Sequence, residues 1–218
     1  MNRDINTPDI ERHPLRPFLP QRARLLMLGS FPPPRARWCM EFFYPNPQND
    51  MWRIMGQVFY SDKNRFVEQK AKPTFRYEEI VAFCKEKGIA IFDTAQAVRR
   101  LQGNAADEHL EIVEKTDIAA LLGQLPQCRD ICCTGQKAAE TLAETLGCKP
   151  PKVGEYIETE ILIKDTSIAT STQQANQATV VRPVCFWRMP SSSRAYPLSL
   201  DRKAEAYKRM MAEVGLIL

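Results

Sequence analysis

Four short apolar runs in this chain, at 25–28, 89–92, 131–133 and 184–187, each end on residues that can do chemistry. The first runs into Gly29 and Ser30, then into three prolines at 32–34 and an aromatic trio, Phe42, Phe43 and Tyr44, ahead of Asn49. The second ends on Asp93, the third on Thr134, Gly135 and Gln136, and the fourth on MPSSSRAYP at 189–197. Small residues let backbone approach a ligand, hydroxyls donate hydrogen bonds, Asp93 brings a carboxylate, and arginines at 35, 37 and 194 bring positive charge. Neither G-x-x-x-x-G-K nor G-x-G-x-x-G occurs, which argues against a nucleotide phosphate loop. Each residue also has a plain structural reading. Gly29 can be a turn, Asn49 the N-cap of the helix that Met51 begins, Asp93 a turn cap and the serines a solvated loop. The aromatics can anchor a loop, and Arg35 and Arg37 can be surface charges. It is the shared position at four strand mouths that points to a site.

The elements that must carry these residues follow from hydrophobic spacing. The four runs are short enough for buried strands. Between them lie helical patterns: Met51, Ile54, Met55, Val58, Phe59; then Tyr77, Ile80, Val81, Cys84 with Gly88 as a stop; then Ile118, Leu121, Leu122; then Ala138, Ala139, Leu142, Leu146. A last helix holds Ala204, Tyr207, Met211 and Val214 behind Ser199 and Asp201. Alternating strands and helices predict an α/β fold with a central, mostly parallel four-stranded sheet covered on both faces. Right-handed crossovers then bring all four strand ends to one edge, where ligands bind in such sheets. Residues 155–181 start with strand-like alternation and become rich in Ser, Thr, Gln and Asn, which predicts an irregular hairpin excursion. Residues 1–20, rich in proline and charge, predict an N-terminal surface arm ahead of a single domain at 21–218.

With 218 residues, 44% hydrophobic and 26% charged, the chain can bury a substantial core. A net charge of +4 permits a nucleic-acid partner without demanding one. No apolar leader or membrane-length run is present, so no membrane partner is expected. Seven cysteines, two of them adjacent at 132 and 133, suit buried thiols in a reducing cytoplasm. No C-x-x-C pair occurs and there are two histidines, so neither a metal nor a cofactor is expected.

Five segments, LGSFP, FFYPNPQNDMW, KGIAIFDTAQAVRR, CTGQKAAETL and MPSSSRAYPLSLDRKAEAYKRM, resemble in order and spacing the uracil-DNA glycosylase superfamily. The nearest resemblance is to its mismatch-specific and hypoxanthine-DNA glycosylase branch, which carries G-S-x-P, Y-x-x-P-x-N-x-F-W and L-P-S-T-S-P-A segments. It runs from about residue 24 to the C-terminus, apart from 155–181. It implies a three-layer α/β/α sandwich that flips a deaminated base, of uracil or hypoxanthine type, out of DNA and hydrolyses its N-glycosidic bond. The product would be an abasic site for base-excision repair, and the enzyme a monomer.

On this resemblance Gly29, Ser30, Phe31, Phe43, Tyr44 and Thr134 bind the base, with Tyr44 the stacking ring. Arg35, Pro190, Ser191, Ser192, Ser193 and Arg194 bind DNA, and Arg194 or Tyr196 fills the gap left by the flipped base. Many members place an Asp or Asn in the first loop to position water; here that loop reads Gly29-Ser30-Phe31. The catalytic role therefore passes to Asn49, which the branch keeps, with Asp93 second and Asp50 third. Arg194, Met51 and Thr134 stand where the branch more often has proline, phenylalanine and asparagine. No lysine lies in the motif loops, which predicts a monofunctional enzyme. The alternative is a catalytically inactive protein of the same fold that binds nucleic acid or nucleotide.

Overall fold

A computed structural model describes residues 8–101, 109–164 and 179–217. Its centre is a five-stranded sheet in the order β5-β2-β8-β10-β9. These are β2 (Leu25–Gly29), β5 (Ile89–Asp93), β8 (Asp130–Thr134), β9 (Glu155–Lys164) and β10 (Thr179–Met189). The first three and β10 run parallel, as the four apolar runs predict, and β9 pairs antiparallel to β10 along its whole length. Every residue of β2 and β5 is buried, so helices must cover both faces. The result is a three-layer α/β/α sandwich. Among the described residues no helix is long and apolar enough to cross a membrane.

The five helices fall where the spacing predicts: α1 (Met51–Tyr60), α2 (Tyr77–Lys87), α3 (Ile118–Gly123), α4 (Gln136–Leu146) and α5 (Leu200–Glu213). Gly88 ends α2 in the left-handed region at φ 68°, where an added Cβ would meet the Arg22 carbonyl oxygen at 2.7 Å. Ser199 caps α5 by accepting from the Arg202 N–H. Helices α1 and α5 pack on each other, and α3 and α4 both pack against β9.

The chain differs from the sequence expectation in several places. The segment 155–181 is not irregular at its base: Glu155–Lys164 is the edge strand of the main sheet, half-exposed, which is why its pattern alternates. Residues 165–178, where the tip of the expected hairpin falls, lie outside the described residues. Strand β10 begins well before the apolar run, and its Pro183 stands ahead of the pairing with β8, which starts at Cys185, so the missing N–H breaks no bond there. A second sheet, in the order β1-β6-β7, joins β1 (Glu11–Arg12), β6 (Ala95–Arg100) and β7 (Leu110–Lys115). A two-stranded ribbon of β3 (Val67–Glu68) and β4 (Thr74–Phe75) lies between α1 and α2 in the chain.

The N-terminal arm is therefore more than a surface strap. Glu11 and Arg12 extend the second sheet opposite Val98 and Ala97, and Phe18 bridges Ile91, covering the outer edge of β5. Buried Arg100 ties arm to core, with its guanidinium on Glu11 and on the Pro32 carbonyl.

Phe186, fully buried midway along β10, tests the core. Phe186→Ala is expected to cost about 3–5 kcal/mol, read as a lower urea midpoint at unchanged slope.

Candidate active site

The connection from β2 swings towards β5 while that from β8 swings towards β10, so a crevice opens between the ends of β2 and β8. A cleft of about 620 Å³ lies there, within the range of small-molecule sites. Its floor and walls hold Gly29, Ser30, Phe31, Phe43, Tyr44, Asn49, Asp93, Thr134 and Ser191 to Ser193. All four strand mouths contribute.

Gly29 and Asp93 are register partners on adjacent parallel strands. A Cβ built on Gly29 would lie 2.3 Å from Asp93 Oδ1, so the carboxylate occupies space that only glycine leaves open. Thr116 holds the Asp93 carbonyl through a 2.7 Å hydroxyl bond, and the Thr94 N–H donates to Gly29 O at 2.8 Å. Asp93 Oδ2 contacts His13 Nε2 at 2.9 Å. Oδ1 takes no hydrogen bond from a described residue.

The proline-aromatic loop, whose regular structure is a single 3-10 turn at Arg35–Arg37, is held by side-chain and backbone hydrogen bonds. Trp38 Nε1 donates to Pro33 O at 2.7 Å, the Cys39 N–H donates to Pro45 O at 3.0 Å, and Trp52 Nε1 donates to Phe43 O at 3.1 Å. Phe42 and Phe43 are buried core side chains; Phe43 also forms cleft wall. Tyr44 sits at φ 50°, a left-handed conformation that costs a non-glycine residue about 1–2 kcal/mol. It is held there by Trp52, edge-on at 6.1 Å, and by a 2.9 Å bond to Thr134 Oγ1. Thr134 donates onward to Leu28 O, so the Tyr44 hydroxyl is the donor of the pair. Burial, with the Asp93 carboxylate adding to it, pushes the Tyr44 phenol well above its ordinary value, so it stays protonated.

Asn49 lines the cleft one residue ahead of Asp50, which takes the N-cap position of α1 in place of the expected Asn49. Asn49 Oδ1 accepts from the Met51 N–H at 2.9 Å, an Asx turn leading into α1, and this fixes the amide orientation. What the amide can then offer the cleft is its Nδ2 donor. Asn49 is also bridged to Ser193 in the closing loop.

That loop is clamped from below by Asp50, which is not a water-positioning group. Asp50 Oδ1 accepts from Arg194 Nε at 2.9 Å, and Lys203 Nζ lies 3.3 Å from Oδ2 and donates to Ser193 O at 2.7 Å. Lys203 is 1% exposed. Burial, then Arg194 itself, push the neighbouring Arg53 guanidinium down, a sign of crowded positive charge beside the serines. Ser191 and Ser193 hydroxyls accept backbone N–H bonds two residues on, Ser192 is buried, and Pro190 lies below the cleft with its carbonyl on Tyr207. Arg35 is stacked on Trp38 and paired with Glu41 outside the cleft, whereas Arg37 lines it. His13, Asn46, Ala195 and Pro197 are site neighbours that the motifs did not single out; His13 has no local signal beyond being one of two histidines. Among the described residues no cluster of His, Cys, Asp and Glu could hold a metal ion.

No family model matches the chain. It is 26% identical over 122 residues to the hypoxanthine DNA glycosylase of Methanosarcina acetivorans, a match spanning 56% of this chain and 70% of that protein. Its fold is similar to the solution NMR structure of a candidate uracil DNA glycosylase from the same organism, with a TM-score of 0.56 at 21% identity, covering 95% of this chain and 99% of that one.

Removing the buried cation tests the clamp. Lys203→Met leaves Asp50 with Arg194 as its cation and Ser193 O with the Tyr196 N–H as its donor, and is expected to cost about 3–5 kcal/mol by chemical denaturation.

Proposed function

We propose, from the similarity to a hypoxanthine DNA glycosylase over part of the chain, from the shared fold and from the cleft, that this protein is a monofunctional DNA glycosylase acting on a deaminated base of uracil or hypoxanthine type. The observation that carries this reading is the convergence of Asp93, Asn49, Tyr44 and the serine loop on one cleft at the sheet's switch point.

The cleft can meet each demand of the reaction. A flipped base costs a few kcal/mol of lost stacking, and an aromatic face returns roughly 1–3 kcal/mol per base. Phe31, Phe43 and Tyr44 offer such surface. Backbone N–H groups at Ser30 and Phe31 stabilise the negative charge that builds on the departing base. The serine loop and Arg194, backed by Arg53 and Lys203, receive the flanking phosphates.

Asn49 and Asp93 divide the work on water. With Asn49 Oδ1 spent on Met51, the amide donates to the water oxygen through Nδ2 and holds it below C1′ of an oxocarbenium-like sugar. The free Asp93 Oδ1 accepts the water proton as the bond to carbon forms. In this division Asp93, at the end of a strand, supplies the acceptor that the first loop lacks. No lysine is among the cleft-lining residues, so the reading includes no Schiff base with the abasic sugar.

The test is cleavage of end-labelled oligonucleotides carrying uracil, hypoxanthine or xanthine, with alkali added afterwards. Wild type is expected to give alkali-dependent breaks at uracil or hypoxanthine and none without alkali. Asp93→Asn is expected to lower the single-turnover rate by roughly 10²-fold or more, and Asn49→Ala to lower it as well, with DNA binding retained. Silence of the wild type on every substrate, with binding intact, would establish the binding-protein reading instead. Gly29→Ala, which drives a methyl into Asp93 Oδ1, is expected to match Asp93→Asn in rate while keeping the fold, as read by circular dichroism.

A further inference from the structure

His13 is carried by the N-terminal arm, 80 residues from Asp93 in sequence, yet its side chain is 1% exposed. Two backbone anchors bracket it. The His13 N–H donates to Gln96 O at 2.8 Å, and Phe18 exchanges bonds with Ile91 at 3.0 and 2.9 Å. Between them the imidazole enters an aromatic pocket, 4.5 Å from Phe92, 5.3 Å and edge-on from Phe31, and 6.2 Å from Phe43. Nδ1 lies 2.9 Å from Leu15 O and 3.2 Å from Leu15 N, and Nε2 lies 2.9 Å from Asp93 Oδ2. Among the described residues, Asp93 is the titratable group that this ring faces; its other neighbours are phenylalanines and Leu15 backbone.

The arrangement leaves little freedom to the carboxylate. Without the imidazole, Oδ2 would face aromatic rings, where an unpaired carboxylate is costly. With Asp93 ionised, Nε2 must carry the proton and donate it to Oδ2. One oxygen is thereby satisfied from behind, the carboxylate plane is fixed, and Oδ1 is presented over Gly29 to the cleft.

We propose that His13 is a positioning residue for Asp93, so that the N-terminal arm supplies half of a carboxylate–imidazole pair whose free oxygen, Oδ1, faces the attacking water. The proposal rests on the glycosylase reading. It adds to it a residue outside every motif, which touches neither base nor water and acts through Asp93. An anchor for the arm would need only an apolar side chain in that aromatic pocket; the ring instead spends its Nε2 edge on the one cleft carboxylate.

The experiment compares His13→Leu and His13→Gln with wild type, each also in an Asp93→Asn background. It reads single-turnover cleavage, DNA affinity and thermal midpoint. His13→Leu is expected to slow cleavage about 10²-fold at unchanged DNA affinity. The glutamine amide, which can still donate, recovers most of the rate. In the Asp93→Asn background neither change adds more than about threefold, because the group that His13 positions is already gone.

A folded His13→Leu protein with the wild-type rate overturns the proposal. So does a loss that follows the thermal midpoint alone and recurs in full in the Asp93→Asn background. Nitrogen spectra of this two-histidine chain separate the possible failures without any need for cleavage. A His13 Nε2 signal that Asp93→Asn leaves unmoved overturns the pairing. A signal that moves, in a protein that cleaves nothing, supports the pairing and overturns the glycosylase reading.

Discussion

The cleft depends on a missing side chain. Gly29 and Asp93 face each other across two parallel strands, and the carboxylate lies where a Cβ at 29 would be. With any larger residue at 29 the carboxylate would be displaced, whereas the Tyr44 hydroxyl, 3.8 Å from that Cβ position, would only be touched. Two strands of purely apolar burial thus end in one polar contact, and the surrounding loops are arranged to keep it dry on one side and open on the other. Phe31, Phe43 and Phe92 form the dry side, and the crevice between β2 and β8 is the open one.

A second buried carboxylate does a different job. Asp50 is nearly as buried as Asp93, yet both of its oxygens face cations from the far end of the chain, Arg194 and Lys203. It fastens the start of α1 to the closing serine loop. The contrast between the two carboxylates is one of partners. The oxygens of Asp50 are both committed to structure, whereas Asp93 keeps one oxygen uncommitted, and an uncommitted oxygen beside a cleft is the one able to act on a ligand.

Much of this was legible in the sequence, for physical reasons. Strands buried on both faces give unbroken apolar runs, so β2, β5, β8 and the latter half of β10 stood out, and so did Asp93 at the end of one of them. Amphipathic spacing marked all five helices. Strand β9 was less legible as part of the sheet because an edge strand alternates, and alternation followed by polar residues reads equally well as a free hairpin. Strand β6 was hidden because Ala95–Arg100 mixes small and charged residues, and the partners of the buried Arg100 include Glu11, distant in sequence, and the backbone carbonyl of Pro32. Arg35 looked like a free cation for DNA, but Glu41 and Trp38 lie within one loop turn of it. His13 had no local pattern at all, since its meaning comes from two backbone anchors some eighty residues away.

Those anchors also set an order of assembly. During synthesis the arm leaves the ribosome before its docking partners, Ile91, Gln96 and Val98, have been made. The arm must wait as an unpaired strand until β5 and β6 are made and paired, and contacts of such long sequence separation form slowly. The arm is thus among the last segments to settle, and the aromatic pocket around the Asp93 carboxylate closes only when it does.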